Sequence, residues 1–142
     1  MADLRFDGSV WCNIDVALRH IDAIYSQETE PLGLNVIEWY ILQMLYVKDG
    51  QMASRLAEGV GRAATAFTPL LDGIQNKGLI ERRQHTADRR AIKIFLTGEG
   101  KALQDRVKAS AERVESKLRQ QFSDKEWQSF QRVVADFQTM AP

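Results

Sequence analysis

Apolar residues recur at three- and four-residue intervals along most of this chain, and the intervals define helices. Val10, Ile14, Ala17, Ile21 and Ile24 share one face of a predicted first helix over residues 9–27. Pro31 and Gly33 interrupt it. Ile37, Ile41 and Leu45 mark a second helix over residues 34–47, which Asp49 and Gly50 end. A short helix is predicted over residues 51–58, punctuated by Gly59 and Gly61, which a tight following turn would require. The next helix starts at Arg62 or Ala63 and runs to Lys77. Phe67, Leu70, Leu71 and Ile74 line its inner face, and Gly78 closes its C-terminus.

The period then changes to two. Ile92, Ile94 and Leu96 alternate with Lys93 and Phe95, and the polar stretch 81–85 precedes them across a turn near residues 86–89, which predicts a β-hairpin. Thr97 caps a long helix in which Leu103, Val107, Ala111, Val114 and Leu118 recur at helical steps. Ser123 and Glu126 have capping-box spacing and start a last helix bearing Trp127, Phe130, Val134 and Phe137. The fold class is mainly α with one small hairpin. Three short helices followed by a basic hairpin is the order of a winged helix-turn-helix, whose third helix enters a major groove.

Composition narrows the class. The chain has 142 residues, 44% of them hydrophobic and 27% charged, which suits one globular domain. No apolar run approaches the ~18 residues of a membrane span, and the N-terminus lacks a signal-peptide pattern, so a cytoplasmic protein without membrane partners is expected. A single cysteine, Cys12, excludes an internal disulfide and a multi-thiolate zinc site. His20 and His85 lie far apart in sequence without an accompanying acid cluster, so no metal and no cofactor are expected. Phosphate-loop, nucleophile-elbow and zincin motifs are missing, which argues against an enzyme.

Net charge is zero, but it is unevenly spread. Residues 1–31 carry two basic and six acidic side chains, while residues 62–96 carry seven basic and three acidic ones. A basic segment on a neutral chain gives one positive face, the electrostatic requirement for nucleic acid. Counting alone is equally consistent with a solvated charged surface.

Three motifs then coincide: Gly78-Leu79-Ile80, Asp88-Arg89-Arg90 and Leu96-Thr97-Gly98-Glu99-Gly100. In this order and spacing they resemble the MarR family of bacterial transcription regulators, and the resemblance extends over roughly residues 10–140. It implies a single domain over residues 1–142, with a winged-helix lobe at 32–99 and dimerisation helices at 9–31 and 100–142. It implies a homodimer on a pseudo-palindromic stretch of double-stranded DNA, acting as a ligand-released repressor. The alternative is a winged-helix module that binds a protein partner, or an antagonist that does not bind DNA by itself.

Carried over by position, the resemblance makes Arg55, Arg62, Thr65, Thr68, Arg82, Arg83, Arg89, Arg90 and Lys93 DNA contacts, with Asp88 bracing the wing. Other readings stand beside these: Thr65 and Thr68 as helix-start caps, Arg82 and Arg83 as solvated charges, and Arg90 as an ion-pair partner of Asp88. Pro69 departs from the commoner family pattern and costs little only if the helix begins near Thr65. The family's aromatic or lipophilic effectors would lie near Trp11, His20, Trp39, Tyr40 and Met44, although such a stripe also reads as plain core. Cys12 sits where a hydroperoxide-sensing branch has its reactive thiol. No tyrosine falls at the matching helix positions, which favours an idle thiol. The stripe from Leu103 to Leu118, together with Trp127, Phe130 and Phe137, predicts a dimer interface of roughly 2,000 Å² or more.

Overall fold

A computed structural model describes residues 3–142 except Thr86 and Ala87, and of His85 and residues 88–90 it describes the backbone alone. Helices α1 (Val10–Thr29), α2 (Val36–Val47), α3 (Ala53–Gly59) and α4 (Ala64–Asn76) precede strands β2 (Ile80–His85) and β3 (Asp88–Leu96). Helices α5 (Gly98–Ala102), α6 (Gln104–Arg119) and α7 (Asp124–Thr139) follow. No helix among the described residues is long and apolar enough to cross a membrane.

The hairpin is a three-stranded sheet. Gln51–Met52, expected to open the third helix, instead forms strand β1, antiparallel to β3 with Gln51 opposite Ile94. The strand order is β1-β3-β2. Two residues are too few for any periodicity to register. The pairing of β2 with β3 sets Ile80 against Leu96, Arg82 against Ile94 and Arg83 against Lys93. Even-numbered positions therefore face the helices, and Ile80 and Ile94 are buried there. Ile92, on the same face, lies beyond the edge of the core and stays 40% exposed.

The expected single helix after Thr97 is two helices. Thr97 does cap α5, its Oγ1 accepting from the Gly100 amide at 3.1 Å. The Gly100 carbonyl, however, accepts from Tyr46 Oη at 2.6 Å and from the Leu103 amide at 3.3 Å, which tightens the turn and breaks the α-helical ladder at Leu103. Helix α6 restarts from there, the Val107 amide donating to Leu103 O at 2.9 Å.

Helix α2 is the centre of the core. Trp39, Ile41, Leu42 and Leu45 are all buried, because α1, α4, α6 and β3 pack around it. The three-residue stripe seen in the sequence is thus narrower than the real contact. Its start is fixed by a capping box in which Asn35 Oδ1 accepts from the Glu38 amide and Glu38 Oε1 accepts from the Asn35 amide. Leu56 from α3, Phe67, Leu71 and Ile74 from α4, and Val107 and Val114 from α6 complete the interior.

One expectation about assembly is corrected here. The stripe along α6 is not left over for a partner, since Val107 and Val114 are buried within the same chain. The uncovered apolar surface lies elsewhere. Phe6, Trp11, Ile14 and Leu18 are exposed at the N-terminal end and along α1, and Phe130, Val134, Phe137 and Met140 are exposed from α7 onward.

Candidate nucleic-acid interface

The turn into α4 is built from backbone hydrogen bonds. The Arg62 amide donates to Ala57 O at 2.9 Å and the Gly61 amide to Glu58 O at 3.1 Å, the paired bonds of a Schellman closure. Gly61 holds φ at +67°, which a residue without Cβ adopts freely. Gly59 plays a different part from the turn glycine expected. It ends α3 with ordinary φ, and a Cβ there would sit 2.6 Å from Met44 Sδ.

Helix α4 then begins without a side-chain cap. Ala63 occupies the N-cap position, and neither an acidic residue nor a side-chain hydrogen bond neutralises the first turn. Thr65 and Thr68 therefore do not act as helix-start caps; both lie inside the helix and are exposed. The unpaired amides and the positive end of the helix dipole are left open to an anion. Arg55, in the first turns of α3, and Arg62, in the turn itself, are exposed as well. Pro69 lies inside α4, five residues after Ala64, where it lacks the amide that would bond the Thr65 carbonyl.

The wing is tied to this helix by Arg82. Its Nη2 lies 2.5 Å from Asp72 Oδ1 and 3.5 Å from the Thr68 carbonyl, joining β2 to α4. Arg82 is thus neither a solvated charge nor an unpaired cation. Arg83 lies on the opposite face, where its Nε donates to Glu81 Oε1 at 2.8 Å and its guanidinium stacks 4.2 Å above the Phe95 ring. Lys93 is its register partner and half-buried. The side chains of Asp88, Arg89 and Arg90, expected as wing brace and DNA contacts, lie outside the described residues.

The first and third of the sequence motifs converge in space. Thr97 Oγ1 donates to Gly78 O at 2.6 Å, and the Thr97 amide donates to Leu79 O at 3.1 Å. A Cβ on Gly100 would lie 2.1 Å from that same Leu79 oxygen. The C-terminus of α4, the end of β3 and the start of α5 therefore meet at one backbone junction that admits no side chain. Sequence reasoning missed Asp72, whose partner is ten residues away. It also passed over Ala63, an unremarkable residue whose importance is the cap it fails to provide.

Of the five side chains expected around an effector, Trp39 and Tyr40 are brought into contact and the other three are set apart. Trp11 is 75% exposed and His20 is exposed, both on α1. Trp39 is in the core, its Nε1 donating to Ser110 Oγ at 2.9 Å, and Met44 lies beneath Gly59. Tyr40 stacks edge-on against Trp39, and its hydroxyl donates to Tyr25 Oη at 3.0 Å. Burial, then the Tyr25 hydroxyl, raise the Tyr40 phenol above its ordinary range. A groove of about 720 Å³ instead runs between α2 and α6, lined by Gln43, Tyr46, Val107, Lys108 and Ala111 among others. Gln43 Nε2 is buried there without a hydrogen-bond partner.

Comparison with known proteins places this geometry. The sequence model described as "MarR family" matches residues 34–92. The HTH-type transcriptional repressor YetL of Bacillus subtilis (strain 168) is 33% identical over 106 residues, covering 73% of this chain and 64% of that protein. This chain thus spans somewhat under two thirds of the YetL length. The HTH-type transcriptional regulator YsmB of the same organism is 28% identical over 134 residues, 89% of each chain. The S. aureus MepR–DNA complex has a similar fold, with a TM-score of 0.83 at 20% identity over 92% of this chain and 97% of that one.

Proposed function

The chain belongs to the MarR family, and from that premise we propose that it is a sequence-specific DNA-binding transcriptional regulator acting as a homodimer. The observation that carries the reading is the uncapped start of α4, with exposed Arg62, Thr65 and Thr68 around open backbone amides. Phosphates pair with such amides, and side chains near the start of a recognition helix reach base edges in the major groove. The lobe over residues 32–99 carries the DNA contacts, while residues 9–31 and 100–142 carry the dimer. Arg55 and Lys93 add phosphate contacts, as Arg83 does from the outer face of the sheet. Arg82 acts through Asp72 by holding the wing against α4. In the wing, Asp88 braces the turn and Arg89 and Arg90 approach the minor groove, whose negative potential favours cations.

The regulator is a repressor released by a small aromatic or lipophilic acid. The groove between α2 and α6 supports a lipophilic effector: it has an apolar floor at Val107 and Ala111 and the unpartnered Gln43 amide as a donor, while the cation of Lys108 is offset by Glu112 and Glu115.

Gel-shift titration with DNA from upstream of the chain's own gene tests the function. Two subunits making ~6 to 10 phosphate contacts should lose ~10³- to 10⁵-fold in affinity between 50 and 200 mM salt. Binding that is flat with salt, or confined to an asymmetric single half-site, contradicts it.

A further inference from the structure

The C-terminal end of α4 is fastened to the elbow between α1 and α2 by an ion pair between a buried carboxylate and an ammonium that is 41% exposed. Glu38 is 2% exposed, and its Oε1 lies 2.5 Å from Lys77 Nζ. The same ammonium donates to the Gly33 carbonyl at 2.8 Å. Gly33 is the turn residue that follows α1, and Asn35 and Glu38 form the cap of α2. A buried carboxylate with a single cationic partner is costly to hold unless the geometry is well satisfied, so the pair is unlike the surface ion pairs elsewhere on the chain. A second feature points the same way. Gly73 lies in the interior of α4, where glycine weakens a helix, and a Cβ there would sit 3.3 Å from Glu38 Oε2. Helix α4 thus gives up a side chain where the carboxylate approaches it. Neither residue is on the exposed face that carries Thr65 and Thr68.

From this we infer that Glu38 and Lys77 are positioning residues: with the Gly33 carbonyl they fix the angle between the recognition helix and α1, and thereby the half-site spacing that a two-fold pair of chains can read. The inference rests on the DNA-binding reading above. In a dimer joined through α1, each recognition helix reaches its groove at a separation set by the link from α1 to α4. Two half-sites about one helical turn apart, ~10 bp, are read together only when that link is stiff. The side-chain hydrogen bonds between α4 and the α1–α2 elbow among the described contacts are those of the Gly33–Lys77–Glu38 cluster, and slackening it should broaden the tolerated spacing without touching a base contact.

The test begins with selection of a binding site for the parent chain from random duplexes, followed by insertion of one base pair between the half-sites. The parent should prefer its own spacing by at least about tenfold, the order of one mismatched position. In the double variant Glu38→Gln with Lys77→Met, Gln still completes the capping box and no charge is left buried. That variant should keep its helical content while the preference falls below about threefold, on the order expected for a relaxed link. Lys77→Arg alone keeps the ion pair with Glu38 and should keep the preference. Ile74→Val, which loosens the core of the same helix, should lower the melting temperature and leave the preference intact. Should the double variant not fold, Glu38→Gln alone is read in its place, with a partial loss of preference expected. An unchanged preference in whichever of these two is read, or an equal loss in Ile74→Val, overturns the inference. A parent chain that selects no two-fold sequence overturns the functional reading itself, and the inference with it.

Discussion

The lobe around α2 and the helices at the two ends of the chain bury their apolar side chains to very different degrees. Ile41, Leu42, Leu56 and Ile74 are fully covered within one chain, whereas Trp11 is 75% exposed and Phe130 and Phe137 are 49% and 45% exposed. Both regions have helical apolar periodicity, so the sequence pattern alone does not separate them. The difference is one of neighbours. Helix α2 is surrounded by other elements of its own chain, while the outer faces of α1 and α7 are met by nothing among the described residues. Apolar surface of that extent marks an interface. The lobe is therefore the self-sufficient part, and the terminal helices are the part that the proposed second copy would cover.

The largest expected effect comes from breaking the second half of that comparison. Phe130→Glu combined with Phe137→Glu puts four charges into a two-fold interface and should yield monomers in sedimentation velocity. Affinity for a two-half-site duplex should fall by ~100-fold or more, because the second half-site is no longer delivered with the first. The lobe, judged by its helical signal, should remain folded. Ile41→Ala attacks the other half. It should cost about 3 kcal/mol in urea unfolding through the cavity it leaves, while the fraction that stays folded still dimerises.

Smaller effects sharpen the division within the lobe. Arg90→Ala should weaken binding by about 2 kcal/mol per dimer, most where the flanks of the site are A·T-rich, and leave dimerisation alone. Fluorescence anisotropy with matched A·T- and G·C-flanked duplexes checks this; equal binding to both by a folded dimer would pass the minor-groove role to Arg89. The smallest effect is a pH dependence. Burial pushes the Tyr46 phenol from 10.0 up to about 12. The unfolded chain then releases this proton near pH 10 while the folded chain holds it, so stability falls as pH rises from there towards the folded value. Tyr46→Phe should lose the Gly100 contact at neutral pH and show a shallower decline in melting temperature over the alkaline range.

Much of this was legible in advance. Helices α1, α2, α4 and α7 followed from four-residue spacing, and the wing from alternation at Ile92, Ile94 and Leu96. The Ser123–Glu126 capping box was read correctly, and Asn35–Glu38 carried the same spacing signal unread. What stayed hidden depends on partners distant in sequence. The break at Leu103 is made by Tyr46, whose hydroxyl meets the Gly100 carbonyl 54 residues on. Arg82 looked like a free cation until Asp72 was placed beside it. The α6 stripe looked available to a partner because nothing local shows that α1 and α2 already cover it. For Arg55, Arg62, Thr65 and Thr68, exposure agrees with a contact role, and the proposal that they touch DNA came from the motifs rather than from spacing.

In the proposed assembly, two copies joined through α1 and α7 present two α4 helices to one duplex. Sedimentation equilibrium tests it directly, on the free chain and on the chain mixed with its selected duplex. A dimer in free solution at micromolar concentration and two chains per duplex in the complex are expected. A free chain that sediments only as a monomer, or a complex saturating at one chain per duplex, would contradict it.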